Sequence, residues 1–281
     1  MTITESRAAV TPAPSPTTRV PEHLPSHVGL RETVRQTWLM AGRSLIKMRR
    51  NPEQFIDVAI QPLLFTAMFG FIFGGAIAGG VSAYLPLLIP GILVQTALTT
   101  CMATGVNLRD DMDKGVFDRF KSLPMSRIAP LAGPVLADSV RYVIATVLTF
   151  ATGFAMGYRP GGGFWGVLAA GTLIIVSAWS LAWIFTFLGT VMKSAQGLSG
   201  VSMMILFPLT FLSNAFVPAD SLPGWLKAFV NVNPVSHIVS ATRDLANDGR
   251  ITGQVGWALL GCVVVVAIFA PLALRSYRRQ L

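Results

Sequence analysis

Residues 109–127 read RDDMDKGVFDRFKSLPMSR, a charged stretch set between two long apolar runs that hold few other ionisable side chains. Wrapped at 3.6 residues per turn, Met112, Val116, Phe120 and Leu123 share one face, with Phe117 at its margin. Asp110, Asp111, Lys114, Asp118 and Lys121 take the other side, with Asp113 and Arg119 also inside the stretch. Asp110 and Lys114 stand four residues apart with the acid first, the favourable order, and Pro124 stops the helix near Leu123. The pattern predicts a helix from Asp110 to Leu123, roughly 20 Å long at about 1.5 Å per residue. Between two membrane spans, such a helix lies beneath the bilayer and offers a surface to a soluble partner. A solvated loop with some helical pattern is the plainer alternative.

Working outward, the composition names the solvent. Of 281 residues, 52% are hydrophobic and only 12% charged, and the mean hydropathy is +0.59, so the chain reads as an all-α integral membrane protein. The net charge of +9 would suggest nucleic acid on a soluble fold. Here the basic residues gather in short segments beside apolar runs, where they act as topology signals, and no nucleic-acid partner is expected. Cys101 and Cys262 lie inside apolar segments and read as packing residues rather than a disulfide or a thiolate metal site.

Residues 1–27, with Pro12, Pro14, Pro16, Pro21 and Pro25 among Thr, Ser and Ala, read as a disordered cytoplasmic tail. No apolar core follows the early charges, so the tail does not read as a cleavable signal peptide, and His23 and His27 in it read as solvated. Residues 28–51 carry Leu30, Val34, Trp38, Ala41, Leu45 and Met48 at helical spacing, with Arg31, Arg35, Arg43, Lys47 and Arg50 on other faces. This predicts an amphipathic helix lying on anionic lipid.

The remaining 52–281 contain six stretches long enough to cross a hydrocarbon core of about 30 Å. They fall near 55–77, 84–108, 129–157, 164–191, 197–218 and 252–274, with Pro86, Pro90 and Pro134 as candidate bends and glycines 74, 75, 79, 80, 161, 162 and 163 marking outer turns. With the amino terminus inside, the inner segments hold fifteen Lys and Arg, from Arg31 to Arg279, against Arg159, Lys227, Arg243 and Arg250 outside. Both termini are therefore expected in the cytoplasm, as is the 109–127 stretch.

The last outer segment, 213–251, is too long and too apolar for a simple connector and is expected to fold back on the outer leaflet. Ser221 can cap a helix bearing Leu222, Trp225, Leu226 and Phe229, and Asn233 before Pro234 reads as a cap with proline at the first helical position. His237 in that second helix reads as a histidine at a water–lipid boundary.

Ionisable residues within the spans are few: Asp57, and the i,i+3 neighbours Asp138 and Arg141. Such groups are costly in lipid and are candidate functional sites, although pairing and reach to head groups make anchoring the more ordinary role for Asp138 and Arg141. Gly70 with Gly74, and Gly153 with Gly157, permit close helix approach. Ser177, Ser180 and Thr186 with Trp179 and Trp183 could line an amphipathic pathway, with packing as the plainer use.

Phosphate chemistry is missing from these patterns. GTVMKS at 189–194 ends in Lys-Ser, but Met192 replaces the second glycine of a phosphate loop, and GLSGV at 197–201 opens a span. No HExxH, GxSxG or CxxC motif is present to support hydrolysis or metal binding, so no catalytic role and no cofactor is expected.

The order of parts resembles the permease of a type 2 ABC exporter, and within it the daunorubicin/doxorubicin-resistance family of multidrug efflux permeases. The resemblance covers nearly all of 30–281. It rests on RRNPEQFIDVAIQPLLFTAMFGFIFGGAI at the first span, DKGVFDRFKSLPMSRIAPLAGPVLADSVR after the second and NVNPVSHIVSATRDL before the sixth. It implies six spans, an interfacial amino-terminal helix, permeases paired as homodimer or heterodimer, a plasma-membrane location and a separate ABC ATPase subunit that binds the ATP. It also implies a coupling helix between spans two and three, here Asp110, Asp113, Lys114, Phe117, Arg119, Phe120, Lys121 and Leu123, with Phe117, Arg119 and Phe120 as points of insertion into the ATPase. The cargo expected is amphipathic, an anthracycline-like antibiotic, a polyketide or a lipid. An exporter of polysaccharide or lipid-linked glycan with the same permease fold is the first rival, and a membrane-embedded enzyme or channel the second.

Overall fold

The computed structural model describes residues 29–50, 53–117, 126, 128–218 and 223–279; the expected tail 1–27 lies outside them. Helix α1 covers Leu30–Arg50, α2 Glu53–Ala78, α3 Val81–Asp113, α4 Ala129–Ala137, α5 Ser139–Ala155, α6 Gly163–Val191, α7 Ala195–Phe211, α8 Gly224–Val232, α9 Pro234–Arg243 and α10 Gly253–Arg279. A π-helical turn, Asp244–Asp248, follows α9. All regular structure among the described residues is helical.

Helix α3 is the axis of the bundle. It packs against α2, α5, α6 and α7, and its residues from Tyr84 to Cys101 are largely buried. At about 1.5 Å per residue its 33 residues measure about 50 Å, well beyond a hydrocarbon core, so one end must leave the bilayer. Two glycines set its fit to α6: a Cβ on Gly105 would collide with the Phe185 carbonyl, and one on Gly189 would press on the Gly105 carbonyl. This close contact of small residues was absent from the glycine pairs singled out in sequence, because it joins helices 84 residues apart in the chain.

Among the described residues, five stretches are long and apolar enough to cross a membrane: α2, α3, α4 with α5, α6 and α10. The stretch expected at 197–218 is helical only as α7, with 17 residues, about 25 Å at 1.5 Å per residue. Beyond Phe211 the chain turns irregular, and Ser213, Asn214, Ala215 and Phe216 are buried within the protein rather than turned to lipid. Non-helical backbone at such a depth is tolerated because protein groups satisfy it. The Ser213 hydroxyl, for one, donates to the Thr210 carbonyl (2.6 Å) and accepts from the Ala215 N–H (3.2 Å).

The outward faces of α2, α7 and α10 carry Phe71, Met204 and Val263, each more than 60% exposed, as expected of surfaces wetted by lipid rather than water. Helix α1 does not share that burial pattern. Ala41 and Met48 are covered, and Met40 lies so close to Gly133 that a Cβ there would clash, so its second half rests on α4. Its first three turns leave Leu30, Val34 and Trp38 exposed.

Candidate functional site

The charged end of α3 is the first candidate, and its helix runs further than expected. The predicted break before Asp110 does not occur: α3 continues through Asp113, because Arg109 donates to Asp113 (Nε to Oδ1, 3.0 Å) and Lys114 donates to Asp110 (2.7 Å), each pair bracing one more turn. The hydrogen bond to the Asp110 carboxylate holds the Lys114 ammonium above its ordinary pKa. The chain leaves α3 at Gly115, whose φ of 68° suits glycine, and its N–H bonds the Met112 carbonyl (3.0 Å). Helical geometry resumes at Val116 and Phe117.

Phe117 is 5% exposed and meets the ring of Tyr277 on α10 edge to face, with centroids 5.6 Å apart. It is an anchor between two helices here, not a protruding side chain. Arg119, Phe120, Lys121 and Leu123 lie outside the described residues. Lys47 of α1 pairs with Asp111 of α3, and the Ser126 N–H donates to Gln36 of α1 (2.7 Å), so α1, α3 and the segment after it meet at one end of the bundle.

A buried polar cluster lies deeper. Arg141 donates to Asp138 Oδ1 (3.3 Å), Thr104 donates to Asp138 Oδ2, and Thr104 and Tyr142 hydroxyls lie 3.3 Å apart. Asp138 is 7% and Arg141 4% exposed, so the pair forms as its spacing predicts but is enclosed by α1, α3 and α4 instead of reaching head groups. A small cavity of about 40 Å³, lined by Ser44, Lys47, Thr104, Asn107, Asp111 and Asp138, leads from the Lys47–Asp111 pair to this carboxylate. The Asp57 side chain lies outside what is described. Ser177, Ser180, Thr186 and Trp183 are buried, and Ser180 and Thr186 return their hydroxyls to the Val176 (2.9 Å) and Ala182 (2.8 Å) carbonyls, a packing arrangement.

At the opposite end, the outer segment is keyed into α3. Pro90 has no N–H, so the Pro86 carbonyl lacks its usual helical donor. The Asn247 amide supplies one (2.9 Å), while its oxygen accepts from the Tyr158 hydroxyl (2.6 Å). Arg243 donates to the Leu87 (3.2 Å) and Asn214 (2.8 Å) carbonyls, and Tyr84 to the Phe216 carbonyl (2.6 Å). The π-helical turn carries Asn247, and Gly249 closes it with a φ of 64°. As its spacing predicts, Asn233 caps α9, accepting from the Val235 N–H (2.9 Å), with Pro234 at the first position. The expected Ser221 cap lies outside the described residues, and α8 starts at Gly224 after Pro223. Pro90 is the sequence signal for this lock, since it frees the Pro86 carbonyl, which Asn247 then satisfies.

With that geometry in place, comparison with known proteins is informative. The family model described as ABC-2 type transporter matches residues 35–246. The chain is 42% identical over 238 residues to the daunorubicin resistance ABC transporter permease protein DrrB1 of Streptomyces coeruleorubidus, covering 85% of this chain and 84% of that one. It is 27% identical over 265 residues to the probable doxorubicin resistance ABC transporter permease protein DrrC of Mycobacterium tuberculosis, covering 92% and 94%. A putative transport permease, ycf38, of Cyanophora paradoxa is 25% identical over 218 residues, covering 75% and 74%.

Proposed function

Since the chain belongs to the family of ABC-2 type transporters, we propose that it is the permease subunit of an ATP-driven exporter that carries amphipathic drugs or antibiotics outward across the plasma membrane. The observation that carries this reading is the 42% identity, spread over 85% of the chain, to a daunorubicin resistance permease. ATP binds a separate ABC ATPase subunit, two permeases enclose the pathway, and this chain performs no hydrolysis.

In this reading α7 is the shortest of six spans, and both termini face the cytoplasm. That orientation is supported by the charged end of α3 meeting the Lys47 end of α1 and the Tyr277 end of α10. The ATPase grips the charged end of α3 and the segment beyond it. Asp110, Asp113 and Lys114 form its solvent-facing start, and Arg119, Phe120, Lys121 and Leu123 its continuation. Phe117, held against Tyr277, passes the displacement into α10 while the unbroken helix passes it up α3. Closure of the ATPases then shifts the pathway from inward to outward access, provided each state holds the partner differently.

The test uses inverted vesicles containing the permease with its ATPase. ATP-dependent daunorubicin uptake is expected, and Phe120→Ala with Lys114→Ala should abolish it while leaving the permease inserted. Uptake driven by nucleotide with the permease alone would sink the reading.

A further inference from the structure

The outer halves of α7 and α10 do not close on one another. Between them lies a cleft of about 690 Å³, with Leu98 of α3 and Phe185 and Leu188 of α6 behind it and α9 across its outer end. That volume falls in the range of small-molecule pockets, about 300–1,000 Å³. The wall is aliphatic and aromatic along its length, and polar side chains gather only at the α8–α9 end, as Asn231 and His237. His237 Nδ1 is engaged by Gln254 Oε1 (2.7 Å), which fixes the ring and leaves its second nitrogen to another partner. The rim is open: Ile205 is 48% and Trp257 63% exposed, on faces that would meet lipid.

The α10 side of the cleft includes Gly261, where an added Cβ would meet nothing within 4 Å. Empty space over a glycine, in a cleft lined mainly by aliphatic side chains, is room for a flat object. We propose that this cleft holds the exported molecule on its way through: the fused-ring body of an amphipathic compound lies over Gly261 between α7 and α10, and its polar end bonds His237 and Asn231. This rests on the reading of the chain as a drug-exporting permease and adds where the cargo is held.

Two other occupants are outcomes of the test below. A phospholipid would lay an acyl chain along the wall and its head group at the polar end, in which case filling the cleft leaves daunorubicin binding unchanged. A helix from a second copy, about 10 Å across, needs a groove open at both ends, and α9 crosses one of them.

The test compares two glycines of α10 that lie on different faces of the helix, in the complete exporter with its ATPase. Gly261→Ala, Gly261→Val and Gly261→Phe fill the cleft in steps, whereas Gly256→Phe, equally free of clashes, does not line it. Daunorubicin binding, followed by its fluorescence, should weaken progressively along the Gly261 series, reaching about tenfold, or about 1.4 kcal/mol, for Phe. Gly256→Phe should bind as the unaltered protein does, and His237→Ala should weaken binding without filling anything.

Unchanged binding and uptake in Gly261→Phe would overturn the cleft while leaving the exporter reading intact. Loss of permease–permease crosslinking in that variant would overturn it too, by assigning the cleft to a second copy. Should Gly261→Phe fail to insert, Gly261→Val and His237→Ala decide the matter on the same measurement. If the unaltered exporter takes up no daunorubicin on ATP, the exporter reading itself fails, a pattern visible before any variant is made.

Discussion

The two ends of α3 are held in contrasting ways. The charged end is tied by ion pairs that water reaches: Lys47 to Asp111, Arg109 to Asp113, Lys114 to Asp110. The outer end is tied by part-buried hydrogen bonds onto backbone carbonyls, Asn247 to Pro86 and Arg243 to Leu87, and by backbone contacts so close that a Cβ on Gly91 would collide with the Ala215 carbonyl. Exposed ion pairs are worth at most about 1 kcal/mol each and reform readily, whereas a buried polar group left without its partner costs about 1–3 kcal/mol. One end of the same helix is therefore held by contacts that open and reform at little cost, the other by contacts that are costly to open. The Asp138–Arg141 pair lies between them, part of neither arrangement.

That contrast can be broken in order of expected effect. Asp138→Ala leaves the Arg141 cation buried and unpaired, which should cost about 3–5 kcal/mol, read as a drop in thermal unfolding temperature in detergent. Replacing both residues by leucine should recover most of the loss. A double variant as unstable as Asp138→Ala would show that the cluster does more than balance charge.

Asn247→Ala removes the donor to Pro86 and the acceptor for Tyr158 together, and should cost about 1–3 kcal/mol by the same measurement. Pro90→Ala in that background returns an N–H to the helix and should restore part of the loss. No rescue would mean that the freed carbonyl is not what Asn247 answers.

Lys47→Ala should change stability by less than about 1 kcal/mol, since the pair is partly exposed, and the change should fade as salt is raised. Its larger consequence is expected in the ratio of drug transported to ATP hydrolysed, which should fall as α1 loosens from α3. An unaltered ratio would confine the working contact to α3 and the segment beyond it.

How far these features were legible in the sequence follows from the range of the forces involved. The 3.6-residue period of Leu30, Val34 and Trp38 and the Asn233–Pro234 cap are local, and helices appear where they point. The end of α3 lies beyond the break its sequence suggests because the Arg109–Asp113 and Asp110–Lys114 pairs continue the same helix, and Gly115, at a φ of 68°, ends it. Phe117 was assigned to a partner surface because its place on the helix margin says nothing of Tyr277, 160 residues later.

The sequence alone determined that the chain lives in lipid and where its long apolar stretches fall, except at 197–218, where the helix ends at Phe211 after 17 residues. A bilayer sets a minimum run of apolar residues and penalises charge wherever it falls, so those features need no knowledge of neighbours. Only the tertiary structure decided which side chain answers the carbonyl that Pro90 frees, that Asp138 and Arg141 are enclosed instead of reaching head groups, and that α7 and α10 stand apart around Gly261. Each of these depends on where remote segments come to rest, and a contact between residues 86 and 247 has no period to betray it.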